Sequence, residues 1–350
     1  MPRAVRSVDI GPLQDTFLIS AVTMIIVIRL QLWLTNYPQI GGGRLHIAHL
    51  LWGGLFMLVT ILLLLSFLGR RWRKPAAVLG GIGFGFFIDE LGKFITADND
   101  YFYRPAAGII YLIFIGLYLG SRAYQRHRGL TEDERVRNAI ELIGEANHGP
   151  FKAEYRDQAL ALLAAVPATH PLRDPLVALA GNIDTTPNPD PPRYRRFADA
   201  LAARYEHWSE RGWFHRLVIG VFAFWALASF VTIAGLVLSF GFAGDAARAG
   251  FQEDSFSHLN FLNWATLVST AVSTAFVVLG LERLLRGERL EAYLWLTRAL
   301  LVSIFVTRVF TFVESQFGAV FGLAVDVLLL VSVRLMARQE RRRSEPAAVS

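Results

Sequence analysis

Long apolar stretches separated by short polar segments dominate this chain. Eight stretches approach the roughly 20 apolar residues that cross the hydrocarbon core of a bilayer as a helix. They lie near residues 16–36, 45–68, 76–96, 105–123, 217–239, 261–281, 291–314 and 318–336. The pattern therefore predicts an all-α polytopic membrane protein with eight transmembrane helices.

A polar interval separates the fourth stretch from the fifth. Thr131, followed three residues later by Glu134, has the spacing of a capping box, which marks the start of a helix. The interval therefore predicts a helical cytoplasmic module inserted between two membrane halves. The domains predicted in this way are a first half at 1–128, the module at 129–213 and a second half at 214–350.

The two membrane halves resemble each other in sequence. LHIAHLLW, which begins at residue 45, parallels LNFLNWAT at residue 259, and FIDELGKFI at residue 87 parallels FVTRVFTFV at residue 305. Four helices in each half predict parallel copies related by an axis along the membrane normal. Asp89 and Glu90 then correspond to Thr307 and Arg308. The alternative is a chance similarity between apolar segments.

Composition and charge agree with a membrane protein. Of the 350 residues, 53% are hydrophobic and 18% are charged, and the mean hydropathy is +0.39. Lys and Arg residues cluster at alternate ends of the predicted helices, so the positive-inside rule places both termini in the cytoplasm. This placement favours contact with anionic lipid over binding of nucleic acid, despite a net charge of +6. We expect a multi-pass protein of the bacterial inner membrane, anchored by an uncleaved first helix.

An ionisable cluster lies inside the third apolar stretch. Asp89, Glu90 and Lys93 would each cost roughly 2.5–3.5 kcal/mol near the bilayer centre. Lys93 follows the two carboxylates at helical spacings of four and three, so it can pair with either of them. Such residues normally line a cavity or pair with one another. The alternative is a structural ion-pair network that holds the helices together.

Polar residues of other stretches are expected at a similar depth, in the outer half of the bundle. The predicted proton, ion or substrate site consists of Asp89, Glu90, Lys93, Arg29, Arg308, Asn263 and Glu314. An entrance loop above it contributes Asp98, Asp100, Tyr101, Tyr103 and Arg104. The inner halves are mostly apolar, with Arg298 and Asp326 as exceptions.

His46 and His49 are candidate metal ligands. They are three residues apart, so both rings would lie on one face of a helix. A metal ion is therefore a possible cofactor, with Asp89, Glu90 or Glu314 completing the site. Histidines that only bond to loop backbone or lipid headgroups are the alternative. The chain contains no cysteine, which excludes a thiolate metal site.

Three runs, HIAHLLWGG, GFGFFIDELGKFIT and DNDYFYRPA, resemble stretches of uncharacterised multi-pass inner-membrane proteins of bacteria. The resemblance covers mainly residues 45–110. It implies a membrane fold and no particular activity.

Three functions are compatible with these patterns. The leading hypothesis is transport of an ion or small polar solute, coupled to protons, with Asp89 or Glu90 as the titrating group. The second is a membrane-embedded, metal-dependent enzyme that acts on a lipid or lipid-linked substrate. The third is a membrane sensor or assembly factor, whose module at 129–213 binds a cytoplasmic protein.

Overall fold

The computed structural model of the protein consists of helices and their connections in the part that it describes. That part comprises residues 5–35, 49–97, 103–126, 129–148, 151–188, 190, 193–241 and 261–344. Within these ranges the β-type pairing is one isolated bridge between Lys152 and Thr186. The prediction of an all-α protein is therefore confirmed for the described residues.

Six helical segments of the described chain are long and apolar enough to cross a membrane. They are Ile10–Leu32, His49–Ser66, Arg104–Gln125, Gly212–Thr232, Trp264–Leu285 and Arg289–Arg342. The last contains 54 residues and covers both the seventh and the eighth predicted stretch. The third predicted stretch is not among the six, because its main helix has only 17 residues and stops at Asp89.

The chain divides into two compact units. The first contains residues 1–103 and 113–190, and the second contains 104–112 and 191–350. The separation of the membrane halves from a module at 129–213 stays a prediction.

The first unit contains the helices α1 (Ile10–Leu34), α2 (His49–Ser66), α3 (Arg73–Asp89), α4 (Leu91–Ile95), most of α5 (Arg104–Arg126), α6 (Glu132–Gly144), α7 (Ala153–Ala164) and α8 (Arg173–Asn182). Helix α3 packs closely on both α1 and α2. Glycines permit this approach: a Cβ atom on Gly83 would lie 2.9 Å from the carbonyl oxygen of Gly53 in α2. The glycine-rich sequence of α3 thus serves close helix packing.

Helix α2 shows how these helices meet their surroundings. Gly53, which faces α3, is the residue of α2 that is buried. Leucines such as Leu58, Leu62 and Leu65 are exposed. Contiguous apolar surface of this kind is rare on a soluble monomer and suits contact with lipid.

The polar interval contributes a small core of its own to the first unit. Ala139, Leu142, Ile143, Ala159 and Leu163 pack together where α6 meets α7 and α8. The predicted capping box is present: Thr131 accepts a hydrogen bond from the Glu134 amide, and the Glu134 side chain accepts one from the Thr131 amide.

The N-terminal segment before α1 binds to α6. Arg6 donates from Nε to Glu134 Oε1 at 2.9 Å. Asn138 accepts from the Val8 amide at 2.8 Å and donates to the Arg6 carbonyl at 2.8 Å. The hydrogen bonds from the Arg6 side chain and the Thr131 amide lower the pKa of Glu134 from its ordinary 4.5 to about 2. Helix α6 is therefore fixed to the residues that lead into α1.

The second unit contains the first part of α5 and the helices α9 (Arg193–Ser209), α10 (Gly212–Gly241), α11 (Phe261–Leu285), α12 (Arg289–Val302), α13 (Arg308–Ser315) and α14 (Ala319–Ser344). Its core forms where α10, α11, α12 and α14 meet, and is built from Phe222, Val277, Tyr293, Leu296, Leu300, Val333 and Met336. A π-helical segment, Ser303–Thr307, joins α12 to α13.

Candidate functional site

The third predicted membrane segment is interrupted at its charged residues. Helix α3 ends at Asp89, and α4 begins at Leu91. Glu90 between them has φ −87° and ψ 9°, outside the helical range. Asp89 and Glu90 are 1% and 0% exposed. Non-helical backbone at membrane depth is tolerated where protein or a cavity surrounds it, and both carboxyl side chains are enclosed by protein.

Arg29 of α1 holds Asp89 at two points. Its Nε donates to Asp89 Oδ1 at 2.7 Å, and its Nη2 donates to the Asp89 carbonyl oxygen at 3.1 Å. The first contact neutralises the buried carboxylate through a charge-assisted hydrogen bond. The second places positive charge at the carbonyl end of α3, where the helix dipole favours it. Asp89 therefore holds the end of α3 against α1 through these two contacts with Arg29.

Glu90 is engaged through one carboxylate oxygen. Its Oε1 accepts from the His49 amide at 2.7 Å and lies 3.4 Å from both His49 Nδ1 and Lys93 Nζ. Its Oε2 is buried and has no hydrogen-bond partner among the described residues. The imidazole of His49 stacks on Phe86, with 6.0 Å between ring centroids. One oxygen of a buried carboxylate is thus open to a proton or a cation.

A second charged pair lies inside the second unit. Arg308 Nε donates to Asp326 Oδ2 at 2.7 Å, and Ser303 Oγ donates to the same oxygen at 2.8 Å. Asp326 is 3% exposed. Buried charges in membrane helices are paired in this way because an unpaired charge is costly there.

Further polar groups of the second unit lie on three elements: Tyr111 on α5, Thr307 on the π-helical segment and Thr274 on α11. Tyr111 donates from its hydroxyl to the Ile304 carbonyl at 2.7 Å. The hydroxyls of Thr307 and Thr274 are buried and have no hydrogen-bond partner in the part of the chain that the structure describes. π-helical turns often mark functional positions in helices.

The structure brings five of the sequence-predicted residues together in the first unit: Arg29, His49, Asp89, Glu90 and Lys93. It places Arg308 in the second unit with Asp326 as its partner. Glu314 is exposed on α13.

The remaining predicted residues are described in part. Tyr103 is half-buried, and Arg104 is exposed at the start of α5. The backbone of Asn263 lies in α11, and its side chain is outside the description. Four predicted residues lie outside the described ranges: His46, Asp98, Asp100 and Tyr101. Among the residues that are described, no three His, Asp or Glu side chains are grouped as a metal site would require.

Asp326 and Ser303 belong to the charged group around Arg308, but the site predicted from the sequence does not include them. The sequence gives a signal for Asp326, since it is a lone acidic residue in an apolar stretch that follows the stretch containing Arg308. The contribution of Ser303 depends on the π-helical segment, for which the sequence gives no evident signal.

A cavity of about 660 Å³ lies in the first unit near the start of α1. Its walls are largely apolar and include Leu13, Phe17, Leu64, Ala77 and Leu117. Glu90 and Asp89 are not among its lining residues. This cavity therefore lies apart from the polar cluster and provides no polar route to it.

Comparison of the chain with protein-family models, curated proteins and solved structures finds no match. The contacts of the buried charged groups are therefore the basis for a functional assignment.

Proposed function

We propose that this protein is an integral membrane transporter of an ion or small polar solute, and that Glu90 is the group that binds and releases a proton or cation. The proposal rests on the Oε2 atom of Glu90, which is buried and has no hydrogen-bond partner among the residues that the structure describes. A buried acceptor without a donor is costly, and a proton or cation bound there would remove that cost. Glu90 can therefore alternate between a state with a bound proton or cation and a state without one. A carboxylate with both oxygens hydrogen-bonded cannot do so without breaking contacts.

The interruption of the helix at Glu90 supports this role. Transporters commonly bind substrate and coupling ions where a membrane helix is discontinuous, since freed backbone groups and side chains converge there. Lys93 and the imidazole of His49 lie at 3.4 Å on the Oε1 side of Glu90. The Lys93 ammonium can compensate its negative charge while Oε2 remains available.

Asp89 and Arg29 are assigned a supporting role. Their two-point contact fixes the end of α3, and with it the position of the next residue, Glu90. Of the two carboxylates named by the sequence, we therefore assign proton or cation binding to Glu90, whose Oε2 has no hydrogen-bond partner among the described residues.

We also propose eight membrane segments in two related four-helix halves, with both termini in the cytoplasm of a bacterial cell. The sequence match pairs Asp89 and Glu90 with Thr307 and Arg308. The interruption at Glu90 and the π-helical segment Ser303–Thr307 are irregularities at these paired positions. Since the chain has no native cysteine, single introduced cysteines and an impermeant thiol reagent can map each loop.

The transport proposal is tested with purified protein in liposomes that contain a trapped pH-sensitive dye. A potassium diffusion potential, negative inside, is imposed while small ions and polar solutes are supplied outside in turn. We expect acidification of the lumen by the wild type with at least one of them, and none by Glu90→Gln.

The matched control is Glu132→Gln, which removes the same charge from an exposed position in α6. It should acidify the lumen as the wild type does. A wild-type response equal to that of protein-free liposomes with every solute, or an equal response from Glu90→Gln, would reject proton-coupled transport through Glu90.

The contact between His49 and Glu90 favours one second candidate. A histidine beside a carboxylate is the arrangement of a general acid–base pair or of a metal ligand with its orienting partner. A membrane-embedded enzyme acting on a lipid or lipid-linked substrate would use it. Zinc or iron that copurifies with the wild type and is lost from a His46→Ala, His49→Ala variant would favour this candidate over transport.

A further inference from the structure

Helix α9, which precedes α10, has one apolar face. Phe197, Leu201, Tyr205 and Trp208 follow one another at spacings of four, four and three. At 3.6 residues per turn, these spacings place their side chains on the same side of the helix.

On the C-terminal half of this face, Tyr205 is packed into the second unit, whereas Trp208 is 38% exposed. The ring of Tyr205 lies edge-on to that of Phe214, with 5.6 Å between centroids. Its hydroxyl makes a short contact with Ser332 and a 3.4 Å hydrogen bond to the Leu328 carbonyl, both in α14. Ser209 accepts a hydrogen bond from Gln339 of the same helix at 2.7 Å. The end of α9 is thus fixed to α14.

The N-terminal half of the same face is exposed. Phe197 is 71% exposed and Leu201 is 56% exposed. Burial of two such side chains is worth roughly 1.5–3 kcal/mol each. A further apolar surface placed against Phe197 and Leu201 would therefore gain this stabilisation.

The charges on α9 indicate the chemistry of that surface. Arg193 and Arg204 are exposed and lie together along one edge of the apolar face, each within about 40° of Phe197 around the helix axis at 100° per residue. The acidic residues Asp199 and Glu206 lie on the opposite side. Aromatic and aliphatic residues bordered by arginines are the pattern of a helix that lies in a membrane interface.

The position of α9 in the chain brings it to a membrane surface. It ends at Ser209, and the membrane-length segment of α10 begins at Gly212. Two residues cannot lead the chain far from the bilayer.

We propose that α9 lies along the membrane surface at which α10 begins. In this arrangement Phe197 and Leu201 insert among acyl chains, while Arg193 and Arg204 bind the phosphates of anionic phospholipids. The contacts of Tyr205 and Ser209 with α14 hold the helix in this orientation.

The absence of native cysteine permits a direct test. The full chain is prepared with a single substitution, Phe197→Cys, Leu201→Cys or Asp199→Cys, labelled with bimane and placed in nanodiscs that contain phosphatidylglycerol with brominated acyl chains. We expect the label at 197 and at 201 to be quenched at least about twofold more than the label at 199. Equal quenching at all three positions would overturn the proposal.

Two charge variants test the role of the arginines with the label at 201. Arg193→Gln combined with Arg204→Gln should lower the quenching in the anionic nanodiscs. The value should approach that measured in nanodiscs of phosphatidylcholine with the same brominated acyl chains. Arg195→Gln, an exposed arginine on the opposite side of α9, is the control and should leave the quenching unchanged. If the double variant and Arg195→Gln have the same quenching, specific binding of anionic lipid by Arg193 and Arg204 is rejected. A label at 201 that aqueous iodide quenches as strongly as the label at 199 would also contradict insertion.

Discussion

The side chain of Arg29 binds both the carboxylate and the backbone carbonyl oxygen of Asp89. The guanidinium Nε is 2.7 Å from Asp89 Oδ1, and Nη2 is 3.1 Å from the Asp89 carbonyl oxygen. The carboxylate is fully buried at the end of α3. One arginine therefore neutralises a charge and supplies the hydrogen bond that the last carbonyl of an interrupted helix lacks.

This pair should make a large contribution to stability. Asp89→Leu leaves Arg29 without its carboxylate, and we expect the free energy of unfolding to fall by about 3–5 kcal/mol. Adding Arg29→Met should restore much of the loss, because an apolar pair can replace a buried ion pair. Unfolding midpoints of the purified protein in detergent measure both effects. The control is Arg156→Met, which disrupts an exposed pair with Asp157 and should cost at most about 1 kcal/mol.

Two adjacent glycines in α2 test the packing of α2 on α3. A Cβ atom on Gly53 would lie 2.7 Å from the Gly83 carbonyl oxygen, so Gly53→Ala must push the helices apart. We expect it to lower the free energy of unfolding by about 1–3 kcal/mol. A Cβ atom on Gly54 meets nothing within 4 Å, so Gly54→Ala should be neutral or stabilising. Equal midpoints for the two variants would contradict the packing.

A substitution at Gly322 can disturb the ion pair between Arg308 and Asp326 without removing either charge. A Cβ atom at this position would overlap the guanidinium of Arg308. Gly322→Ala should therefore displace Arg308 from Asp326 and cost about 1–3 kcal/mol of stability. Gly220→Ala in α10, where nothing lies within 4 Å, is the matched control. Thermal unfolding of both variants measures the difference, and no loss for Gly322→Ala would show that the pair tolerates displacement.

The contact between Arg6 and Glu134 should make stability depend on pH. The pKa of Glu134 is about 2 in the folded protein and 4.5 by its ordinary value, so the folded state favours the ionised carboxylate. The stabilisation is therefore complete above pH 4.5 and is lost as the pH falls toward 2. Glu134→Gln should unfold at a lower temperature than the wild type above pH 4.5, and the gap should narrow on acidification. A gap that does not vary with pH would contradict this assignment.

The start of α6 and the charged cluster of the first unit can be predicted from the sequence. The start of α6 follows from Thr131 and Glu134, because the capping box is a local motif whose hydrogen bonds form within one turn. The grouping of Asp89, Glu90 and Lys93 follows from their helical spacing and from the cost of charge in an apolar stretch.

Other features depend on tertiary contacts and could not be predicted. No proline marks the interruption at Glu90, which coincides instead with contacts from Arg29 and His49. The pairing of Arg308 with Asp326 was not predicted, because the sequence pattern assigns Arg308 to the outer half of the bundle and Asp326 to an inner half. An arginine side chain is long enough to span such a separation, and its Nε lies 2.7 Å from Asp326 Oδ2.

Infrared difference spectroscopy of the reconstituted protein can detect a proton that binds to the Oε2 atom of Glu90. On acidification, the wild type should develop a carbonyl band of a protonated, buried carboxyl group. That band should be missing from Glu90→Gln and kept in Glu132→Gln. An identical set of carboxyl bands in the wild type and Glu90→Gln would contradict proton exchange at this residue.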